Sequence, residues 1–440
     1  MQKPPSRSTL PSRAAAARIL AEWMQSGQFP DRQLEAGERP DRAMVMELVY
    51  GSVRRQRELD LYVGRLASRR PDPIVRALLH VGLYQLFHMD RTEAYAAVHE
   101  TVEAARMLGR PQAAPLVNAV LRRAQRERAL LESLLANQPL AVRASHPDDV
   151  VERWQRTFGD EEAQALCAWN NRRASICLRP VPAVCTLSRY ADRLREAGVD
   201  AAPHPFDPAR FLRLSHGVRV QDLPGYAEGA FVVQDPATTF AVDLLDIRPG
   251  LRVLDACAAP GGKTLLIAES MQAPDGRIDG LLVATDLHED RLQTLRTNLQ
   301  RMGRAHVQVQ QLDLTRPEEM DAFRRAFATD GFDRILLDVP CSNSGVIQRR
   351  PDARYRLTPA RLKALAKTQR SLLSGAARLL APGGRIVYST CSLEPEENGD
   401  GVRAWLRTRP GMRLDRERLL FPPTTQTDGA YAAALVNAGD

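Results

Sequence analysis

The spacing of hydrophobic residues changes twice along the chain. Up to about residue 140, apolar residues recur every three or four positions, as in the stretch 75–86, and this spacing predicts α-helices. From 141 to 230, one helical stretch gives way to short apolar runs punctuated by proline. Beyond 230, short apolar runs alternate with helical segments, which is typical of a parallel sheet covered by helices. The pattern predicts a multidomain protein: an all-α helical domain over 1–140, a small α+β module over 141–230, and an α/β doubly wound domain over 231–440.

The third domain contains five predicted strands, and the first, second and fourth have an acidic residue as their last or last but one residue. The strands are predicted at Arg252–Ala256, Leu281–Asp286, His306–Leu312, Arg334–Val339 and Arg385–Thr390. In open sheets of this kind, ligands bind at the carboxyl ends of the strands. We therefore expect the functional side chains along that edge.

Length and composition exclude several classes of protein. A chain of 440 residues suits two or three domains, each large enough to bury a core. It contains no apolar run of about 18 residues and begins with a polar stretch, so we expect neither a membrane span nor a secretory signal. Its six cysteines include no CxxC pair, which argues against a disulfide framework, a zinc site and an iron–sulfur site. We therefore predict a cytoplasmic protein without a bound metal.

Arginine dominates the positive charge. The net charge is +8, and because only four of the 61 basic residues are lysine, 57 are arginine. A genome rich in G and C would favour arginine, but arginine also grips phosphate with two hydrogen bonds and stacks on bases, which suits a nucleic-acid partner. Residues 1–140 carry a net charge of +6, and residues 341–370 carry +7. We predict that a phosphate clamp is formed by Arg349, Arg350, Arg354, Arg356, Arg361, Lys363, Lys367 and Arg370, and that its footprint is extended by Arg54, Arg55, Arg57, Arg122 and Arg123.

A loop of small residues, Asp255–Thr264 (DACAAPGGKT), follows the first strand of the third domain. Its glycines allow a ligand to approach the backbone, and the next helix offers unpaired N–H groups. A phosphate-binding P-loop would need glycine where Cys257 stands, and the GxGxxG pattern of dinucleotide sites is absent. An S-adenosylmethionine site remains, since its sulfonium and adenosine require carboxylates. Asp286 is a candidate for the ribose hydroxyls, and Asp313 for the adenine amino group.

Two cysteines follow neighbouring predicted strands. Cys341 comes shortly after the fourth strand, in the sequence Asp-Val-Pro-Cys that begins at Asp338, and Cys391 ends the fifth strand. Both thiols are therefore expected at the same carboxyl edge. A cysteine is usually an inert, buried apolar residue, but two thiols at adjacent strand ends, one of them near an aspartate, favour nucleophilic chemistry. The residues alone do not decide which thiol attacks.

Several motifs resemble those of a known family. DACAAPGGKT, ATD, LLDVPCSNSGV and YSTCSLEPEEN are similar to the motif series of the RNA cytosine carbon-5 methyltransferases of the Sun/Fmu family. ELVYGSVRRQRELD, VRALLHVGLYQLF, AAVHETVEAAR and LVNAVLRR resemble the NusB-like RNA-binding domain of its bacterial, RsmB-type rRNA members. The resemblance spans essentially the whole chain. This sequence departs from the pattern in three places, with SNSGV for SATGV, DGAYAAAL for a DGFF-type strand, and RPVPAVCT in the middle module.

The resemblance implies a Rossmann-like methyltransferase domain and a 16S rRNA cytosine carbon-5 methyltransferase that uses S-adenosylmethionine. It implies that Cys391 is the nucleophile that bonds to RNA, that Asp338 binds ring nitrogen 3, and that Cys341 aids product release. The cofactor-binding residues that it implies are Cys257, Ala258, Ala259, Pro260, Gly261, Gly262, Lys263, Asp286, Asp313 and Asp338.

The partner implied in this way is small-subunit ribosomal RNA before full assembly, bound by a monomer. A first alternative is a similar enzyme acting on transfer RNA or another RNA, but the helical domain favours rRNA because transfer-RNA members generally lack it. A second is a catalytically silent ribosome-assembly factor, which the intact Asp338, Cys341 and Cys391 argue against.

Overall fold

The structure, a computed structural model, describes residues 10–27, 34, 41–90, 92–215, 218–273, 277–304, 306–327 and 330–437. The first nine residues of the predicted polar N-terminal stretch lie outside these ranges. Contacts divide the chain into two compact units. The first unit is Met1–Arg172 with Arg350–Tyr355, and the second is Arg173–Arg349 with Arg356–Asp440. Among the described residues, every helix is too short or too polar to cross a bilayer.

The first unit is helical throughout its described part, as predicted. Its α-helices are α1 (Ser12–Ser26), α2 (Arg42–Arg54), α3 (Gln56–Leu66), α4 (Pro73–His88), α5 (Ala94–Met107), α6 (Ala114–Arg126), α7 (Arg128–Ala136), α8 (Leu140–Arg143), α9 (Asp148–Phe158) and α10 (Asp160–Asn170). Helix α4 begins at a strong start signal, because the Asp72 carboxylate accepts hydrogen bonds from the amides of Ile74 and Val75 while Pro73 takes the first helical position. Leu78 and Leu79 of its apolar stripe are fully buried and belong to the core of this unit.

The segment Arg350–Tyr355 belongs to this helical unit although it comes from far along the sequence. The Arg354 side chain is fully buried and donates hydrogen bonds of 3.0 Å to the Ser145 carbonyl and to the Asn171 amide oxygen. Burial lowers the pKa of Arg354 to about 10. The Tyr355 ring packs edge-on against Trp23 at 5.6 Å between ring centroids. The prediction that Arg354 clamps phosphate is therefore wrong, since its guanidinium serves as a buried anchor.

Some of the arginines predicted to extend the phosphate clamp onto the helical unit are engaged within the fold, and another is exposed. Arg57 is engaged within the fold, donating hydrogen bonds to the His146 carbonyl and to Asp148 at 2.8 Å. Arg123 pairs with Glu127 at 2.7 Å. Arg122 is exposed and stays a candidate for phosphate contact.

The second unit holds two sheets and the helices that pack on them. The strands are β1 (Ile176–Pro180), β2 (Ala201–Pro203), β3 (Leu212–Leu214), β4 (Phe231–Val233), β5 (Arg252–Ala256), β6 (Leu281–Asp286), β7 (Gln308–Gln311), β8 (Phe332–Asp338), β9 (Leu380–Thr390), β10 (Met412–Leu420) and β11 (Ala430–Asn437). The helices are α11 (Leu187–Glu196), α12 (Ala237–Asp243), α13 (Gly262–Ser270), α14 (Glu289–Arg301), α15 (Pro317–Phe327), α16 (Pro359–Arg378), α17 (Gly399–Leu406) and α18 (Pro422–Thr425).

The first sheet is antiparallel, in the order β2-β3-β1-β4, and the second has the order β10-β11-β9-β8-β5-β6-β7. Strands β5 to β9 of the second sheet are parallel and coincide with the five predicted strands, apart from shifts at their ends. Strands β10 and β11 join antiparallel and were not predicted, so the sheet is mixed. The reason is visible in β10 (MRLDRERLL), whose mostly exposed, charged residues leave no apolar run to detect.

The parallel core of the large sheet fixes where its functional loops begin. Strand β8 lies between β5 and β9, and Asp338 of β8 pairs in register with Ser389 of β9. Cys341 and Cys391 follow those two positions by three residues and two residues. Since parallel strands deliver their carboxyl ends to one edge, the backbone alone brings both cysteine loops together beside the loop after β5.

Candidate active site

The loop after β5 is held in an unusual backbone conformation. Cys257 has a φ of 62° and Gly261 a φ of 105°. At Gly261 a Cβ atom would stand 2.6 Å from the Leu295 side chain, so both the angle and the space require glycine. The Ala258 amide donates to the Thr285 carbonyl at 2.8 Å, which ties the loop to strand β6. Gly262 then opens α13, leaving amide groups at a helix N-terminus next to the loop.

Asp286, at the carboxyl end of β6, orders this loop from the neighbouring strand. Its side chain is only 2% exposed and lies 3.2 Å from the Arg291 guanidinium. One carboxylate oxygen accepts from the Ala259 amide at 3.4 Å, and the other accepts from the His288 amide at 3.3 Å. In this structure the carboxylate therefore supports the loop, and its assignment to the ribose stays a prediction.

Asp255, the acidic residue of β5, is fully buried beneath the loop. One of its oxygens accepts a hydrogen bond of 2.6 Å from the Thr264 hydroxyl, and the other has no hydrogen-bond partner. Burial raises the pKa of Asp255 to about 7, with further increases from Asp338 and Asp286. A buried carboxylate oxygen without a hydrogen-bond partner is suited to bind a cation or to accept a hydrogen bond from a ligand.

Lys263 connects the loop to the end of β8. Its ammonium lies 2.7 Å from the Asp338 carboxylate, whose other oxygen accepts from the Ser389 hydroxyl at 2.6 Å. Although burial opposes the charged form, the ion pair with Asp338 raises the pKa of Lys263 above its ordinary value. Asp338 is thus bonded to Lys263 at the start of α13 and to Ser389 of the neighbouring strand β9, at the edge where the two cysteine loops begin.

The two cysteine thiols are in contact. Cys341 Sγ lies 3.1 Å from Cys391 Sγ, and the Asn343 amide oxygen lies 3.0 Å from Cys391 Sγ. The hydrogen bond with Cys391, together with burial, raises the pKa of Cys341 well above its ordinary value. The protonated thiol is therefore favoured at Cys341, and either sulfur can donate in the pair. Asn343 has a φ of 63°, a backbone conformation that asparagine tolerates better than most residues.

A cavity of about 330 Å³ adjoins the loop after β5. Its polar lining includes Asp255, Lys263 and Asp338 from the residues already described. The complete lining is Cys177, Val233, Gln234, Asp235, Thr238, Asp255, Cys257, Ala258, Ala259, Pro260, Gly262, Lys263, Asp338, Arg349 and Asp428.

Arg349 belongs to this cavity wall, and its cationic group is already engaged. It forms ion pairs of 2.9 Å with both Asp235 and Asp428, and it donates to the Ser175 carbonyl at 3.0 Å. Burial, with a further contribution from Asp235, raises the pKa of Asp428 to about 7. A phosphate clamp would need a cation free to meet RNA, so the prediction of that role for Arg349 is wrong.

The residues present fit an S-adenosylmethionine site on structural grounds. The cavity lining includes the buried Asp255, one of whose oxygens has no hydrogen-bond partner, and Asp338 adds a second carboxylate, which suits a cationic sulfonium. At Gly262 a Cβ atom would stand 3.2 Å from the Gln234 side-chain amide, so the loop passes close to its neighbour. The residues that would hold the cofactor are therefore those of the loop after β5, with Asp255 and Asp338.

Asp313 follows β7 and lies apart from this cavity lining. Its carboxylate accepts hydrogen bonds from the Thr315 amide at 2.9 Å and the Thr315 hydroxyl at 2.6 Å. These bonds, with the nearby Arg316, lower the pKa of Asp313. Its side chain closes a local turn, and its contact with adenine stays a prediction.

Sequence reasoning did not single out several residues of the site. Asp235 and Asp428 are far apart in the chain, but both pair with Arg349, and the Asp428 amide donates to the Asp235 carboxylate at 3.1 Å. Asn343 stands within SNSGV, one of the departures from the family pattern, and that departure was the available signal. Asp255 was visible at the end of a strand, but its burial was not.

Comparisons with known proteins agree with this fold. A family model described as "16S rRNA methyltransferase RsmB/F" matches residues 242–436, a NusB family model matches 10–126, and a ferredoxin-like domain model of RsmF/B-like methyltransferases matches 146–221. The ribosomal RNA small subunit methyltransferase B of Pseudomonas putida is 40% identical, covering 96% of this chain and 98% of its own length. That of Pseudomonas syringae pv. tomato is 39% identical, covering 91% of this chain and 88% of its own length.

The fold has a close counterpart among solved structures. The crystal structure of PH0851 superposes with a TM-score of 0.75 and 24% identity, covering 98% of this chain and 100% of that chain. The fold and the site together define an S-adenosylmethionine-dependent methyltransferase with a Rossmann-like catalytic domain. The similarity over nearly the full length of the relatives then specifies the family: the chain belongs to the RsmB/F family of methyltransferases, and it carries the NusB domain.

The buried Asp255 yields a prediction about pH. Because its folded pKa is raised to about 7 from an ordinary 3.8, its contribution to stability is fully present below pH 3.8 and is lost as the pH rises through 7. Asp255→Asn is neutral at every pH and its amide oxygen can still accept from Thr264. We therefore expect the free energy of unfolding of Asp255→Asn, relative to the wild type, to increase by roughly 2–4 kcal/mol between pH 4 and pH 8.

Urea unfolding of the full chain at several pH values measures this difference. Asp330→Asn serves as the control, because its side chain is 84% exposed. A difference between Asp255→Asn and wild type that stays flat from pH 4 to pH 8 would contradict the assignment.

Proposed function

We propose that this protein is a 16S rRNA (cytosine-C5)-methyltransferase that acts through a covalent cysteine–RNA intermediate. The observation that carries the proposal is the contact of two thiols at 3.1 Å beside the Asp338–Lys263 pair, at the edge where the cofactor loop begins. Relatives of nearly the same length are named ribosomal RNA small subunit methyltransferase B, which supports rRNA as the substrate.

The reaction requires a nucleophile because carbon 5 of cytosine cannot attack a methyl sulfonium unaided. The Cys391 thiolate forms a bond to carbon 6, and the electrons of the carbon 5–carbon 6 double bond become available at carbon 5. S-adenosylmethionine, when bound, supplies the methyl group. Loss of the carbon-5 proton then restores the double bond and expels the Cys391 thiolate, so the enzyme is regenerated.

Two features favour Cys391 over Cys341 as the attacking thiol. The hydrogen bond with Cys391, together with burial, raises the pKa of Cys341, which makes Cys341 the weaker candidate for the attacking thiolate. Lys263 also interacts electrostatically with Cys391, and its ammonium favours a negative charge there. Cys341 lies next to the bond between the Cys391 sulfur and carbon 6, and it assists the cleavage of that bond, which releases the product.

Asp338 is proposed to bind ring nitrogen 3 of the target base. Its carboxylate already holds the Lys263 ammonium, so this pair provides the proton that stabilises charge on the ring as carbon 6 is attacked. The target base must leave its stack to reach this edge of the sheet.

The proposed substrate is small-subunit rRNA before full assembly, bound by a monomer in the cytoplasm. The match of the helical unit to the NusB family model supports an RNA partner. On α16, Lys363, Lys367 and Arg370 recur at helical spacing and are all exposed, which makes one basic face. We propose that this basic face contacts the RNA phosphates in place of Arg349 and Arg354.

The thiol assignment predicts opposite outcomes for the two cysteines. Cys391→Ala should abolish methylation and form no RNA adduct, because the sulfur–carbon bond is lost. Cys341→Ala should accumulate a covalent RNA adduct, because attack continues while release slows. Denaturing gels of each variant with rRNA and S-adenosylmethionine detect the adduct as a slower band, and an adduct formed by Cys391→Ala would reverse the roles.

The basic face predicts a change in RNA affinity. Lys363→Glu combined with Lys367→Glu should weaken rRNA binding and reduce the slope of log affinity against log salt by about 2, one for each lost phosphate contact. Arg189→Glu with Arg195→Glu on α11 is the matched control, since both side chains are exposed and the net charge changes equally. Filter binding between 50 and 200 mM salt, roughly the range in which such contacts matter, makes the comparison. Equal slopes for the two double variants would remove the basic face from the account.

A further inference from the structure

A buried carboxylate that the proposed reaction does not use is hydrogen-bonded to the neighbours of both cysteines. Glu397 follows Cys391 in the sequence YSTCSLEPEEN and is 0% exposed. In the described part of the chain it has no ion pair with a lysine, arginine or histidine. A buried charge without a cation is costly, so its hydrogen bonds must compensate.

Four donors meet this carboxylate, and three of them come from the residues that adjoin the cysteines. One oxygen accepts from the Ser342 amide and from the Gln369 side-chain amide, each at 2.9 Å. The other accepts from the hydroxyls of Ser342 and Ser392, each at 2.5 Å. Ser342 is the neighbour of Cys341, and Ser392 is the neighbour of Cys391. A single carboxylate thus joins the two cysteine loops.

The surrounding contacts leave the carboxylate little freedom. The Gln369 side-chain amide also donates to the Pro340 carbonyl at 3.0 Å, which ties α16 to the first loop. The Glu397 carbonyl accepts from the Tyr388 hydroxyl at 2.6 Å, which fixes the backbone of the residue to strand β9. Charge-assisted hydrogen bonds of this kind are roughly twice as strong as neutral ones. The carboxylate thus links the two loops in addition to their direct contacts, such as the Ser342 and Ser392 hydroxyls at 3.1 Å.

We propose that Glu397 is a positioning residue that fixes the separation of the Cys341 and Cys391 sulfurs by holding Ser342 and Ser392 on one carboxylate. Its catalytic consequence rests on the proposed function, in which both thiols act on one base. Its structural consequence, the proximity of the sulfurs, does not depend on that function.

Three variants distinguish the effect of the length of the Glu397 side chain from the effect of its charge. Glu397→Asp keeps the charge but is one methylene shorter, so it cannot reach both loops. Glu397→Gln keeps the reach, and its amide can still accept from Ser342 and donate to the serine hydroxyls. Glu396→Gln is the matched control, because Glu396 is the exposed neighbour in the same turn.

The first readout is the thiol–disulfide equilibrium of the full chain in glutathione buffers. Oxidised glutathione converts the two thiols to a disulfide and is reduced to two glutathione molecules, and the equilibrium constant gives the effective concentration of one thiol at the other. The bond is assigned to Cys341 and Cys391 by peptide mass spectrometry. We expect this concentration to fall at least 10-fold in Glu397→Asp, by less in Glu397→Gln, and not at all in Glu396→Gln.

The second readout is methylation kinetics. Misplacement of a reacting group by about 1 Å can cost a factor of 100, so kcat of Glu397→Asp should fall 10- to 100-fold while KM for RNA and for S-adenosylmethionine changes less than 2-fold. Glu397→Gln should recover part of the loss. If Glu397→Asp does not fold, Ser342→Ala with Ser392→Ala removes both hydroxyl donors to the carboxylate, although the Ser342 amide bond remains, and should change both readouts in the same direction.

An unchanged thiol equilibrium in Glu397→Asp, or in the double serine variant, would overturn the proposal. If kcat of Glu397→Asp falls while that equilibrium is unchanged, Glu397 acts by another route. Should the wild type prove inactive on rRNA, the proposed function fails, while the thiol equilibrium still decides the positioning role.

Discussion

The parallel pairing of β8 with β9 is the constraint on which the catalytic site depends. Its register sets Asp338 opposite Ser389, so the chain leaves both strands at one edge and reaches Cys341 and Cys391 within three residues. The 3.1 Å contact of the sulfurs follows from that geometry and from the hydrogen bonds between the two loops. A slip of one residue in either strand would turn these side chains to the other face of the sheet.

Negative charge is concentrated around the loop after β5, and most of it is buried. Asp255, Asp286 and Asp338 end three adjacent strands, and only Lys263 and Arg291 approach them as cations among the contacts described above. Such a site is unfavourable for phosphate and favourable for a cationic sulfonium. This explains physically why a loop that resembles a P-loop at Gly262, Lys263 and Thr264 serves a different class of cofactor.

The sequence predicted the features that follow from local pattern. Strand ends, the small-residue loop and the two cysteines are all readable from runs of a few residues, and the five parallel strands are confirmed on that basis. Strand β10 was missed because edge strands exposed to solvent carry charges in place of an apolar run. The three-domain partition at residues 140 and 230 stays a prediction, since contacts separate two units, with α9 and α10 in the first.

Residues that depend on distant partners were the ones that sequence reasoning misread. A run of basic residues after Cys341 indicates a phosphate clamp, yet Arg349 meets two aspartates and Arg354 is buried among helices far away in the sequence. Glu397 lies inside the recognised motif YSTCSLEPEEN. Its proposed positioning role depends on hydrogen bonds from Ser392 and Ser342, which lie 5 and 55 residues away in the chain. Charge patterns report composition, whereas burial and pairing arise only in the folded chain.

The central claim is that the Cys391 sulfur bonds to the cytosine ring, and a mechanism-based trap tests it most directly. RNA that contains 5-fluorocytidine should capture the enzyme after methyl transfer, because fluorine cannot leave carbon 5 as the proton does. Mass spectrometry of the digested adduct then identifies the attached residue. The account predicts a modified nucleotide on the peptide that carries Cys391. Attachment to Cys341, or the absence of any adduct with an rRNA that the enzyme methylates, would contradict it.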